Sequence, residues 1–316
     1  MIVVSSAGLS SERTKELEEE FPEVDFRFHP SMKEAEQDLP EAEVLLTFGE
    51  DVDEEHITMA ASLKWINIIS AGMDKMPFQS IKERDILVTN ARGIHGNPMA
   101  EYTFHMMLHV SRQMPVLMKQ QDNAAWDRSP VMTELRGKTL LTAGTGAIAS
   151  ETARLGKAFH MRTIGINRTG SPAPHFDETA AAGGLEEACR EADFIVSVLP
   201  KMPETDHFFT DRIFQSMKPT AVFINIGRGN AVDEKALLNA LEQGRPAHAV
   251  LDVFQEEPLP ASSPFWEHPH VTVTPHLSGI SPEYLPRACR MFADNLTKYL
   301  SGSTSFINPV DPEKGY

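Results

Sequence analysis

The stretch KTLLTAGTGAIASETARLGKAF, residues 138–159, decides the fold. An apolar run ends in Gly144-Thr145-Gly146-Ala147-Ile148-Ala149, and a helical pattern follows at once. Glycine is needed where a strand turns tightly into a helix and where backbone must approach a pyrophosphate closely. The helix N-terminus then offers its free N–H groups to that anion. Ala149 stands where the fingerprint has its third glycine, a replacement the pattern admits. The alternative is a glycine-rich turn that binds nothing, but strand before and helix after favour a Rossmann unit. Gly144, Gly146, Ala147 and Ile148 are then candidate cofactor-binding residues.

The next predicted strand, RTIGIN, runs over residues 162–167 and ends in Asn167-Arg168-Thr169. A cofactor with a free ribose 2′-hydroxyl ordinarily meets an acidic residue there, and none is present. A guanidinium instead matches a 2′-phosphate in charge and fork geometry, so NADP(H) is favoured while NAD(H) stays open. Asn167, Arg168 and Thr169 join the cofactor set; a surface arginine without a role is the alternative for Arg168.

Further along, FINIGRGNAVDEKALLNAL (223–241), AVLDVFQEEPLP (249–260) and VTVTPHLSG (271–279) each carry chemistry just past a predicted strand. In open α/β sheets ligands lie outside the carboxyl ends of the strands, which would deliver Arg228, Glu257 and His276 to one crevice. The set suits reduction of a keto acid. Arginine grips a carboxylate with two prongs, imidazolium gives a proton to the carbonyl oxygen, and the carboxylate orients the imidazole and favours its charged form. Singly, each has a plain structural reading as surface ion, loop carboxylate or core histidine; in order at strand ends, the three point to catalysis.

These motifs resemble the D-isomer-specific 2-hydroxyacid dehydrogenase family over nearly the whole chain. Asn225, Arg228, Gly229, Val232 and Asp233 match its N-x-x-R-G-x-x-V-D segment; Asp252, Val253, Phe254, Glu257 and Pro258 match D-V-F-x-x-E-P; Thr274, Pro275 and His276 match T-P-H. The resemblance implies a Rossmann domain plus a discontinuous flavodoxin-like substrate domain. It implies Arg228 as substrate anchor, Glu257 as the histidine's partner and His276 as acid/base. It places Asp252 at the nicotinamide carboxamide and Leu199, Pro200 and Thr205 beside the adenosine. Ile226, Gly227, Arg228, His276, Ser278 and Gly279 would line the cofactor, and Ala71, Gly72 and Met73, in the segment Ile69 to Asp74, would clasp the substrate carboxylate through backbone N–H groups. Glyoxylate and hydroxypyruvate reductases are the nearer members, because no regulatory extension follows the last helix. A homodimer through the long helix is a further expectation, as is an aromatic such as Trp126 reaching a partner's site, although plain hydrophobic filler suits Trp126 equally. The same fold also serves animal transcriptional co-repressors, so a dinucleotide-sensing binding protein without turnover is the alternative function.

The rest of the sequence fits such an enzyme. The 316 residues allow about two domains. A net charge of −16 argues against nucleic acid and anionic membranes as partners. The opening MIVVSSAG lacks a basic leader region, no apolar run is long enough to span a bilayer, and a cytoplasmic location is expected. Cys189 and Cys289 build neither a disulfide framework nor a zinc site, and no metal is expected.

Strand-like MIVVSS, VDFRF, AEVLLTFG, WINIIS and DILVTN, alternating with helical runs, predict a first α/β domain. Asn97 and Pro98 predict the cap and first turn of one long helix over residues 97–121. The amphipathic tail, residues 282–302, is expected to fold back on the first domain. The predicted domains are therefore 1–98 with 285–316, and 99–284, with a cleft between them. His105 and His109, spaced i, i+4, lack the H-E-x-x-H glutamate and are read as packing. Met99, Met106, Met107, Met114 and Met118 are read as core or interface, and the glutamates from Glu16 to Glu20 as a solvated face.

Overall fold

Short runs rich in Val, Ile and Leu, buried on both faces, form the inner strands of two parallel sheets, while the more exposed runs DFRF, ETAA and VTV lie at sheet edges. The computed structural model describes residues 1–70, 73 and 75–312, and the chain divides into two compact units. One holds Met1–Ile94 with Ser281–Tyr316, the other His95–Ile280. Each boundary falls four residues before the position expected from sequence. The reason is local: His95 caps a helix of the second unit, so residues 95–98 belong there.

The first unit runs β1 (Ile2–Ser5), α1 (Ser11–Glu20), β2 (Asp25–Phe28), α2 (Met32–Ala35), β3 (Val44–Thr47), α3 (Glu54–Met59), β4 (Trp65–Ile68), α4 (Phe78–Glu83) and β5 (Leu87–Asn90). Its sheet has the order β2-β1-β3-β4-β5, all parallel, which is the flavodoxin-like arrangement. Along α1 only Leu17 is buried, so Glu16 and Glu18 to Glu20 do face solvent. The C-terminal helix, Tyr284–Leu300, covers one face of this sheet. Trp65 is stacked against Phe292 and Tyr299 at 5.4 and 5.3 Å, and its indole N–H donates to Thr89 Oγ1, which donates to Asn67 Oδ1.

The second unit begins with α5 (Gly96–Ser111) and α6 (Met114–Asp122). The single long helix expected from sequence is thus broken. Gln113 takes the left-handed conformation, φ 55°, and Pro115, which has no N–H to donate, starts a new helix beyond it. His95, not Asn97, is the N-cap of α5; Asn97 and Pro98 sit within the first turn. Met99, Met106 and Met107 enter the core, whereas Met114 and Met118 remain exposed.

Then follow β6 (Thr139–Ala143), α7 (Ala147–Ala158), β7 (Arg162–Asn167), β8 (Glu178–Ala181), α8 (Leu185–Glu191), β9 (Phe194–Ser197), α9 (Asp211–Ser216), β10 (Val222–Asn225), α10 (Glu234–Glu242), β11 (His248–Leu251) and β12 (Val271–Val273); the C-terminal helix above is α11. The parallel sheet is ordered β12-β11-β10-β9-β6-β7-β8. The order reverses beside β6, the switch point at which such sheets leave a crevice. Phe209, Phe214 and Phe223 pack under the sheet with ring centroids 4.8–6.2 Å apart. Each is fully buried, a contribution of about 2–3 kcal/mol apiece.

Candidate active site

Because the sheet of the second unit is parallel, its seven strands end on one edge, and the turns that leave them carry nearly every residue singled out from the sequence. The turn after β6 contains Gly144, whose φ of 105° only glycine adopts readily, and an added Cβ there would press on the Val198 carbonyl at 3.4 Å. At Gly146 a Cβ would meet no atom within 4 Å, and no side chain among the described residues caps α7. Open space therefore fronts the first-turn N–H groups around Ala147 and Ile148, and a dinucleotide pyrophosphate fits this cradle. Gly165, in mid-strand β7, makes it possible: a Cβ would lie 2.7 Å from Thr145 Cγ2. The only sequence signal for this role was a glycine inside a strand pattern.

Past β7, the Asn167 side chain shapes the next turn. Its Oδ1 accepts from the Thr169 and Gly170 N–H groups at 3.1 and 2.7 Å, and its Nδ2 donates to the Ser171 carbonyl and to Thr145 Oγ1. Arg168 and Thr169 stand exposed on the turn so formed. After β9, Leu199 is largely buried and Pro200 exposed, and the Thr205 hydroxyl closes the loop by donating to the Pro200 carbonyl at 2.6 Å.

The arginine is presented by an enclosed asparagine. Asn225, fully buried at the end of β10, accepts from the Gly227 N–H at 3.2 Å and donates to the Arg228 carbonyl at 3.1 Å. Two glycines are compelled here by crowding, not by φ. A Cβ on Gly227 would lie 2.6 Å from the Leu199 carbonyl oxygen, and one on Gly229 only 1.9 Å from the Phe254 carbonyl carbon. The backbone beside Arg228 thus abuts the backbone of the glutamate segment. Ile226 points into the core, 1% exposed, so its side chain supports the site from behind.

Glu257 is aimed by its own segment. Its Oε1 accepts the Phe254 N–H at 2.9 Å, leaving Oε2 to meet His276 Nδ1 at 2.7 Å. Since an ionised carboxylate can only accept, Nδ1 carries the proton and Nε2 is directed away, free to exchange one with a substrate. His276 itself has a left-handed backbone, φ 52°, which a non-glycine residue keeps only when its surroundings hold it. Asp252 provides that hold. It is 0% exposed; its Oδ1 accepts from the Thr274 hydroxyl at 2.5 Å and the Leu277 N–H at 3.0 Å, and its Oδ2 from the Ser278 N–H at 2.9 Å. In this structure Asp252 has no surface open to a ligand, and what its carboxylate holds is the turn that bears His276. Ser278 is likewise buried, while Gly279 lies against the His95 imidazole. Burial, with the Arg228 cation adding to it, pushes the His95 pKa below the usual histidine range.

Some candidates lie elsewhere. Ala71 and Gly72 fall outside the described residues, as does Asp74. The Met73 side chain is buried in the first unit, with the Asn90 amide on its sulfur at 3.3 Å. Trp126 is 94% exposed. His105 and His109 face each other at 5.8 Å, and His105 is exposed, which corrects its reading as a packed residue.

Among known proteins, the model of the D-isomer-specific 2-hydroxyacid dehydrogenase NAD-binding domain matches residues 104–278. A glyoxylate reductase of Aeropyrum pernix is 34% identical over 83% of this chain and 81% of its own length. A D-3-phosphoglycerate dehydrogenase of Methanocaldococcus jannaschii is 33% identical over 90% of this chain, which spans only 55% of that longer protein. Two solved structures are similar throughout. A D-isomer-specific 2-hydroxyacid dehydrogenase family protein from Aeromonas salmonicida has TM-score 0.87 and 34% identity, with 98% of each chain covered. An NADPH-dependent glyoxylate/hydroxypyruvate reductase from Sinorhizobium meliloti, in complex with NADP and sulfate, has TM-score 0.83 and 25% identity, covering 100% and 99%. With a dinucleotide cradle, a histidine joined to a glutamate and an arginine on one sheet edge, and a family model matched across more than half its length, this chain belongs to the D-isomer-specific 2-hydroxyacid dehydrogenases and is an NAD(P)-dependent oxidoreductase.

Proposed function

We propose that this enzyme reduces a short 2-oxo acid of the glyoxylate or hydroxypyruvate kind to the D-2-hydroxy acid, with NADPH as the preferred reductant. The observation that carries the reading is the 2.7 Å contact between His276 Nδ1 and Glu257 Oε2. It fixes which imidazole nitrogen faces the substrate. When bound, the reduced nicotinamide supplies hydride to the keto carbon. His276, its ring oriented by the adjoining carboxylate, gives its Nε2 proton to the carbonyl oxygen. Glu257 stabilises the imidazolium before that transfer and orients the neutral ring after it. Arg228 holds the substrate carboxylate through two N–H groups and polarises the carbonyl.

NADPH is supported by the exposed Arg168 on a turn with no acidic residue among 167–171 and two hydroxyls, Thr169 and Ser171, beside it. The resemblance to an NADPH-dependent reductase adds to this. A substrate panel of glyoxylate, hydroxypyruvate, pyruvate and bulkier 2-oxo acids, run with both cofactors, tests the reading. NADPH oxidation by the short acids supports it, and Arg168→Asp is expected to shift preference toward NADH by at least about tenfold, the weight of one charge-assisted contact. Inertness toward every 2-oxo acid would refute the activity; an unaltered cofactor ratio in the variant would remove Arg168 from it.

A homodimer belongs to the same reading. Helix α6 buries none of its residues, and Trp126 and Val131 beyond it are 94% and 80% exposed, a surface suited to a second copy of the chain.

A further inference from the structure

The turn that bears His276 is held from both flanks by one helix, and no motif in the sequence assigned that helix a role in the chemistry. On the near flank, the Tyr102 hydroxyl of α5 lies 2.6 Å from Thr274 Oγ1. The single Thr274 hydroxyl proton goes to Asp252 Oδ1, so the phenol must be the donor to Thr274. Burial keeps that phenol protonated by raising its pKa. The chain Tyr102 to Thr274 to Asp252 then ends on the Leu277 and Ser278 amides, one and two residues past the imidazole. On the far flank, the imidazole of His95, the N-cap of α5, packs against Gly279. Its ring is so near that a Cβ on Gly279 would lie 3.1 Å from Nδ1. Residues 95 and 102 are seven apart, two helical turns, and so share one face of α5.

We propose that Tyr102 and His95 are positioning residues for His276: helix α5 clamps residues 274–279 at both ends and so keeps the left-handed His276 and its Nε2 in register for proton transfer. The proposal rests on His276 being the proton donor of the proposed reduction. Its physical basis is that catalysis tolerates little drift, since displacement of a reacting group by about 1 Å costs on the order of 100-fold in rate. A left-handed non-glycine residue relaxes unless both flanks are fixed.

The test compares Tyr102→Phe, which keeps the ring and removes the donor, with Thr274→Val and Thr274→Ser, and adds His95→Gln. Two readouts are taken: amide hydrogen exchange at Leu277 and Ser278, and kcat and KM for the best 2-oxo acid. Expected in Tyr102→Phe and Thr274→Val are faster exchange at those two amides with the sheet amides unchanged, and a kcat lowered about 5- to 50-fold with KM within about twofold. Thr274→Ser should stay near the parent on both readouts, and His95→Gln should loosen Ser278 more than Leu277. The proposal is overturned if the two amides keep their protection in Tyr102→Phe, if exchange rises uniformly across the chain, or if the amides loosen while kcat is unchanged. If the parent enzyme reduces no 2-oxo acid and the amides still respond, the clamp stands and the reductase reading fails.

Discussion

His276 has a geometry that assigns its protons. With Nδ1 committed to Glu257 Oε2, removal of the ring would, in the proposed reduction, leave the hydride acceptor with no acid beside it. His276→Ala is expected to lower kcat by roughly 10²- to 10⁴-fold, the range for loss of a general acid. NADPH affinity, measured by nicotinamide fluorescence, should change little; turnover near the parental rate would dismiss the assignment. Gly229 is constrained by space alone. With a Cβ 1.9 Å from the Phe254 carbonyl carbon, Gly229→Ala must push the two backbones apart, and a loss of roughly 3 kcal/mol or more is expected in urea unfolding. A stable, active variant would show that the backbones yield. Both residues stood in legible motifs, but for different reasons. The Arg, Glu and His were readable because chemistry restricts residue type. That Gly229 touches residue 254 was not, because a close approach between distant turns leaves only a glycine in the sequence. The Tyr102–Thr274 bond, between residues 172 apart, left no sign at all.

At the level of elements, local patterns located strands well and helix ends less well. The run RTIGIN became β7 over the same residues, since a buried parallel strand is a continuous apolar run. The Asn97-Pro98 pair misplaced the start of α5 by two residues, because proline is tolerated anywhere in a first turn, where no N–H is needed. The break at Gln113 had one sign in the sequence that the single-helix reading passed over, Pro115 two residues on; glutamine, a good helix former here forced left-handed, gave none.

Strand β11 carries a testable pH response. His248, at its start, bonds Thr272 Oγ1 of the neighbouring strand at 2.9 Å, and burial, with the charges of His270, His109 and His268, lowers its pKa to about 4. Its folded pKa lies below the unfolded value of 6.5, so the unfolded chain binds the extra proton. The neutral ring's full contribution is therefore present above pH 6.5 and is lost as pH falls from 6.5 toward 4, about 3 kcal/mol at most. Urea unfolding of the parent and His248→Gln between pH 7.5 and 4 should show the parent losing stability faster on the acid side. Parallel curves would exclude His248 from the response.

For the molecule as a whole, the cadence of strands announced two α/β units, and the resemblance announced that the first is discontinuous. The boundaries at Ile94 and Ile280 were missed by four residues each because compactness, unlike periodicity, is a property of contacts. The exposed surface of α6 and residues 123–134 sets the prediction at this scale. Light scattering should give twice the 35.1 kDa chain mass, and Trp126→Asp with Val131→Asp should weaken the association. A monomer at micromolar concentration would remove the dimer from the account.

The seat of α11 on the first sheet also has a consequence for biosynthesis. Trp65 and its neighbours wait for Phe292 and Tyr299, which leave the ribosome only after the entire second unit has been made. At about 5–20 residues per second, the interval is ~10–40 s. The nucleotide-binding half can therefore mature first, while the earlier-translated half keeps an uncovered apolar face. Nascent chains halted before residue 284 should accordingly be the species that holdase chaperones capture.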